Sequence, residues 1–142
     1  MTDDREVRNV RALFLSDVHL GMKPTRVKQL IDFLRVHDAE TIYLVGDILD
    51  GWRLAKAWYW PEDYNVLAQL LLDKATVGTR VVYLPGNHDE FLREYLGTYF
   101  GEIELVDRTI HTSATGRTYL VIHGDQFDVV VMNAKWLAHV GD

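Results

Sequence analysis

The sequence predicts an α/β fold in which mixed β-sheets are flanked by helices. The first observation behind this is an apolar pattern whose period switches repeatedly between that of a buried strand and that of an amphipathic helix. The second is the order of those segments. Strand, helix, strand, helix, strand is the arrangement of βαβ units around a parallel sheet. The third is a later run of short strands, which calls for a mixed or second sheet.

Each element has a local reason. Residues 10–15 (VRALFL) are short, apolar and bounded by Ser16-Asp17, as suits a buried strand. Thr25 is placed to cap a helix running to about His37, with Val27, Leu30, Ile31 and Leu34 on one face. Residues 41–45 (TIYLV) form a second buried strand, ended by Gly46-Asp47. Pro61 suits the first turn of the next helix, and Glu62 and Asp63 favour its positive end. Val66, Leu67, Leu70 and Leu71 give that helix its apolar face, and Gly78 can close it. Residues 80–84 (RVVYL) make a third strand, ended by Pro85-Gly86. Residues 90–96 suit a short helix. Residues 102–106, 108–112 and 118–122 suit further strands, with a hairpin turn at 114–117 (ATGR). Residues 128–140 are expected to begin another helix.

Composition narrows the class of function. The 142 residues suit one domain, and 48% hydrophobic with 25% charged residues is an ordinary globular balance. The formal net charge of −6 offers no general attraction to nucleic acid, which makes nucleic acid an unexpected partner. With no cysteine, disulfides and thiolate metal sites are excluded. The first residues, MTDDREVRNVR, are charged, and no apolar run reaches membrane-spanning length. The expected location is cytoplasmic, with peripheral contact at the inner membrane left open.

Four apolar strands are each followed at once by residues able to hold a metal. The first leads into Ser16-Asp17-Val18-His19 and the second into Gly46-Asp47-Ile48-Leu49-Asp50. The third leads into Gly86-Asn87-His88-Asp89 and the last into His123-Gly124-Asp125. Any one of these could be an ordinary turn or helix cap. Four at the same end of successive strands call for another explanation, because ligands in such folds sit beyond the carboxyl ends of the strands. Oxygen and imidazole donors without sulfur suit manganese, iron, magnesium or zinc. Two such ions about 3.5–4 Å apart can hold the attacking and leaving oxygens of an in-line displacement and lower the pKa of a bound water. A histidine near the leaving group can supply a proton, and a neighbouring carboxylate can hold its ring.

These blocks resemble those of the calcineurin-like metallophosphoesterases. Asp17-x-His19, Gly46-Asp47-x-x-Asp50, Gly86-Asn87-His88-Asp89 and His123-Gly124 match four of the family's five signature blocks, in order. The resemblance implies a calcineurin-like phosphoesterase core and two divalent ions, manganese first, with iron, zinc or magnesium as alternatives. It implies that Asp17 and His19 bind one ion, that Asp47 bridges, and that Asn87 and His123 bind the other. It makes His88 the leaving-group acid or transition-state stabiliser, oriented by Asp50. SDVHLG, YLVGDILDGWRL, WYWPEDYN, PGNHDEFLREYLG and VIHGDQFD resemble the branch related to UDP-diacylglucosamine diphosphatase, which splits a pyrophosphate in lipid A synthesis. That branch carries Arg where this chain has His88, the residue of the broader family. The fifth block, Gly-His-x-His, is absent. The expectation is therefore that residues 1–142 are the N-terminal portion of a metallophosphoesterase domain, C-terminally incomplete, of weak or no activity, and prone to self-association.

The expected substrate is a phosphorylated small molecule or a nucleotide-linked lipid. Two alternatives stand beside this: a nucleotide or nucleic-acid phosphodiesterase, and an inactive scaffold or binding member of the fold. His37, His111 and His139 match no block and are expected to be ordinary residues. Trp52, Trp58, Tyr59 and Trp60 suit helical packing and a substrate surface about equally.

Overall fold

The structure is a computed structural model that describes residues 6–23 and 26–124. Its main sheet has five strands in the order β1-β2-β3-β5-β4, and a separate antiparallel pair joins β6 to β7. The strands are β1 Arg8–Leu15, β2 His37–Val45, β3 Arg80–Leu84, β4 Tyr99–Phe100, β5 Ile103–Leu105, β6 Thr109–Thr112 and β7 Thr118–Val121. The helices are α1 Val27–Arg35, α2 Gly51–Lys56 and α3 Glu62–Thr76, with a 3₁₀ helix at Glu90–Tyr95. The strands β1, β2, β3 and β5 are parallel, and β4 runs antiparallel to β5 at the edge. The predicted α/β class with mixed sheets is the fold found.

Alternation along the central strands explains the layering. Ile42, Leu44, Val81 and Tyr83 point to one face, where they pack with Val27, Ile31 and Leu34 of α1 and Tyr64, Leu67 and Leu71 of α3. Tyr43, Val82 and Leu84 point to the other face and pack with Val121 of β7. Strands buried on both faces read as continuous apolar runs, which is how they were found in the sequence.

Several element boundaries differ from the expectation. The first helix ends at Arg35 rather than His37, because His37 opens β2 and pairs with Arg8. The residue before this helix is Arg26, whose side chain makes no cap. The expected cap, Thr25, lies outside the described residues. Pro61 stands just before α3 with extended ψ of 161°, instead of inside its first turn. Glu62 and Asp63 do occupy that turn, and Gly78 follows the helix with φ of +112°, a left-handed exit that suits glycine. The short strand β4 was not foreseen. The expected helix over 128–140 lies outside the described residues, as does Asp125.

Candidate metal centre

The carboxyl ends of β1, β2, β3 and β7 open onto one place, and the loops there are stitched together. The Asp17 N–H donates to the Gly46 carbonyl at 3.1 Å, the His19 N–H to Asp47 at 2.9 Å and the Leu20 N–H to Ile48 at 2.8 Å. The loop after β1 thus runs beside the loop after β2, extending the parallel ladder beyond the strands. Within these loops Asp17, His19 and Asp47 have φ of +56°, +52° and +53°. Left-handed backbone is uncommon outside glycine, and three such residues in one cluster point to a functional constraint.

Several of these side chains converge. Asp17, Asp47 and His123 form one cluster whose possible ligand atoms all lie within 4.8 Å of one another. His19 Nε2 lies 3.6 Å from Asp17 Oδ1 and 4.0 Å from Asp47 Oδ2. His123 Nε2 lies 3.8 Å from Asp17 Oδ1 and 3.5 Å from Asp47 Oδ2. These separations are too long for hydrogen bonds and surround a common volume. Ligand atoms about 2.1 Å from an ion stand roughly 3.0–3.4 Å apart in tetrahedral or octahedral arrangement, only slightly closer than these. The Asn87 amide sits beside the same carboxylate. With its nitrogen toward Asp47 it reaches both oxygens, at 3.2 and 3.1 Å. With its oxygen turned that way, two acceptors would face each other, an arrangement that a cation between them makes favourable. The donor set therefore fits a divalent ion.

Glycines make the approach possible. A Cβ on Gly46 would run into the His123 ring, and one on Gly86 would strike both Asp47 Oδ1 and His123. Asp47 itself is held from behind, because its Oδ1 accepts the His88 N–H at 2.9 Å.

Beside this cluster stands a second one, His19, Asp50 and His88. Asp50 is buried, and its carboxylate serves three groups. It accepts the Arg53 N–H at 3.1 Å, capping α2, and His19 Nδ1 lies 3.2 Å from its Oδ2. His88 Nδ1 lies 3.3 Å from Oδ1, within ion-pair distance but without the alignment of a hydrogen bond. Burial alone would raise the Asp50 carboxyl pKa. The Arg53 N–H and the two imidazoles outweigh it and hold the group below its ordinary range. Asp50 is therefore both the helix cap its position allows and the partner of both histidines. The Trp52 ring lies over the His88 ring, with centroids 4.0 Å apart, and is 54% exposed at the rim.

Sequence reasoning passed over Asp89 and Tyr83. Asp89 reads as a turn or cap residue, yet it makes no side-chain cap to the 3₁₀ helix that follows it. Its carboxylate reaches instead to backbone N–H groups of the Asp47 loop, and the Tyr83 hydroxyl donates to it. Burial, with Asp89 adding to it, pushes the Tyr83 hydroxyl well above its ordinary value. The signal for Asp89 was its place in the same tetrapeptide as Asn87. The signal for Tyr83, a tyrosine in an otherwise aliphatic strand, was weak.

A parallel α/β sheet that gathers carboxylates and imidazoles around one volume at its carboxyl edge has the architecture of a metal-binding domain. The chain belongs to the calcineurin-like phosphoesterase family, whose model matches residues 10–140. It is 31% identical over 116 residues to a UDP-2,3-diacylglucosamine hydrolase of Xanthomonas campestris, covering 80% of this chain and 46% of that one. A protein of the same name from Pseudomonas aeruginosa is 30% identical over 125 residues, covering 80% and 47%. One from Porphyromonas gingivalis is 26% identical over 122 residues, covering 80% and 45%. The chain thus spans about half the length of these relatives. Among solved structures it is similar to the nuclease MPE of Pseudomonas putida, at 23% identity and a TM-score of 0.42, over 69% of this chain and 48% of that one.

Proposed function

We propose that the chain carries the metal-binding half of a phosphohydrolase that cleaves a phosphoester or pyrophosphate bond. The observation that carries this is the ring of Asp17, His19, Asp47 and His123 atoms, 3.5–4.0 Å apart, around one volume at the carboxyl edge of the sheet. In this reading Asp17 and His19 would hold one divalent ion, Asn87 and His123 would hold another, and Asp47 would serve both. Manganese suits the oxygen and imidazole donors. Such ions, when bound, polarise a phosphoryl oxygen and supply an activated water.

The remaining groups have their own tasks. His88 turns Nδ1 toward Asp50, which leaves Nε2 to donate a proton to the leaving oxygen. Asp50 stands beside Nδ1 of that ring within ion-pair distance, and the Trp52 ring lies against its face. Asp50 also holds His19 Nδ1, so that Nε2 faces Asp17 and Asp47. The names of the relatives support a UDP-linked diacyl sugar as substrate, and in this reading its pyrophosphate is the bond cleaved. A substrate with two acyl chains implies peripheral contact with a membrane surface. Among the described residues no helix is long and apolar enough to cross one.

The test begins with metal-stripped chain. In a version extended to the length of the relatives, added Mn²⁺ is expected to restore hydrolysis of an aryl phosphate ester and to support cleavage of UDP-2,3-diacylglucosamine at its pyrophosphate, and the 142-residue chain is expected to do so weakly or not at all. Turnover that persists in excess chelator would reject the metal-dependent reading. Cleavage of aryl phosphodiesters without any attack on the pyrophosphate would transfer the assignment to a nucleotide phosphodiesterase.

A further inference from the structure

Asp89 is fully buried, and its carboxylate gathers donors from both loops of the candidate centre. Oδ1 accepts the Asp47 N–H at 3.1 Å and the Gly86 N–H. Oδ2 accepts the Ile48 N–H at 2.9 Å, the Leu49 N–H at 3.4 Å and the Tyr83 hydroxyl. Every partner is a donor, so the site calls for a group that only accepts, as an ionised carboxylate does. A carboxamide would turn its own N–H groups against backbone N–H groups.

The partners matter as much as their number. Asp47, Ile48 and Leu49 form the loop that carries the central carboxylate, and Asp47 sits there with φ of +53°. Gly86 opens the loop that carries Asn87 and His88. In return, the His88 N–H donates to Asp47 Oδ1. Asp89 grips one loop by its backbone, and the loop it comes from grips the Asp47 side chain. The two strand ends are locked to each other in both directions. Without Asp89, three consecutive backbone N–H groups beside Asp47 would lose their common acceptor.

We infer that Asp89 is a positioning residue for the metal centre, one that holds Asp47 in its left-handed turn so that its carboxylate meets Asn87 and His123. It touches no reacting atom. The inference rests on the metal-binding reading above and adds to it the group that preorganises the site.

Manganese binding to the whole chain tests it, with free Mn²⁺ measured by electron paramagnetic resonance. Each variant is measured at a temperature where circular dichroism shows it folded. Asp89→Asn is expected to weaken Mn²⁺ binding about 10- to 100-fold, the range found for outer partners of metal ligands. Tyr83→Phe keeps the carboxylate and removes one donor, and is expected to weaken binding measurably but less. Lys74→Met is the stability control. Lys74 pairs with Asp38 at 2.7 Å and with the His37 carbonyl, at the opposite end of β2 from the centre. It is expected to lower the melting temperature and leave the affinity alone.

Unchanged affinity in folded Asp89→Asn, while the parent chain binds Mn²⁺, overturns this inference and leaves the metal reading standing. An equal loss in Lys74→Met would show general loosening and also overturn it. No binding by the parent chain overturns both. If Asp89→Asn does not fold, Tyr83→Phe decides, and unchanged affinity there counts against the inference.

Discussion

Asp17, His19 and Asp47 share a backbone conformation that costs of order 1–3 kcal/mol for a residue with a side chain. The cost has a use at each position. A left-handed residue just past a strand turns the chain sharply, so that its side chain lies across the strand end instead of continuing the pleat. Glycine would take that turn freely but would bring no carboxylate or imidazole. At Gly46 and Gly86 the requirement is reversed, because there the side chains of Asp47 and His123 need the space that a Cβ would fill. Gly86→Ala is therefore expected to destabilise the fold by about 1–3 kcal/mol, as overpacking does, and to weaken metal binding. Chemical denaturation and metal analysis would check both, and a Gly86→Ala chain with parent-like metal content would refute the argument. The proposed roles of individual residues separate in the same way. Asp47→Asn is expected to lower metal content at both positions, since one carboxylate faces both donor sets. In a version extended to the length of the relatives, His88→Ala is expected to lower metal-dependent turnover by about 10²–10⁴ and leave metal content near that of the parent. If His88→Ala strips metal as thoroughly as Asp47→Asn, His88 is a ligand and its assignment as proton donor is wrong.

The helices on one face of the sheet set the position of everything at its edge. Leu34 of α1 is fully buried against the central strands, with Ile31 and Val27 on the same side. Leu34→Ala is expected to cost about 2–5 kcal/mol, read as a shift in the denaturation midpoint, because the packed layer can only partly close over the gap. A cost under about 1 kcal/mol would mean that α1 is loosely seated. The same packing explains what the sequence disclosed. Apolar strands that end abruptly in Ser, Gly or Pro made the carboxyl ends of β1, β2 and β3 legible to the residue, but the expectation that residues 10–15 are buried fails, because among the described residues β1 is an edge strand with no buried residue. The amino ends of the strands were not legible. His37, Asp38 and Glu40 look like the tail of a helix or a loop, and only pairing with Arg8 and its neighbours makes them part of β2. The strand β4 is short and exists through its pairing with β5, a tertiary fact with no local pattern behind it. The site followed the same rule. The blocks at strand ends could be read because their carboxylates and imidazoles lie close together in sequence. The task of Asp89 could not, because most of its donors lie some forty residues away in the Asp47 loop.

At the scale of the whole molecule the two faces of the main sheet are unequally covered. Among the described residues, one carries α1 and α3, and the other carries the β6–β7 pair, where the buried cluster is Tyr43, Val82 and Leu84 with Val121 of β7. On that second side Phe14 of β1 stacks on Tyr43 with ring centroids 4.8 Å apart, yet it remains 52% exposed. Tyr119 and Leu120 of β7 line the same depression as Phe14 and are also about half exposed, as is Ile110 nearby in β6. Among the described residues β1 pairs only with β2, so one row of its backbone groups meets no strand. Apolar side chains beside an open strand edge favour pairing with another chain. The isolated chain is therefore expected to associate as its concentration rises, and light scattering across a dilution series would show a falling mean mass. Phe14→Ser with Leu120→Ser should shift that association to higher concentration. Both residues are half exposed, so the paired change should cost far less stability than Leu34→Ala. A chain that stays monomeric throughout the series would show that this face needs no cover. If the double variant associates as the parent does, the contact lies elsewhere on the molecule.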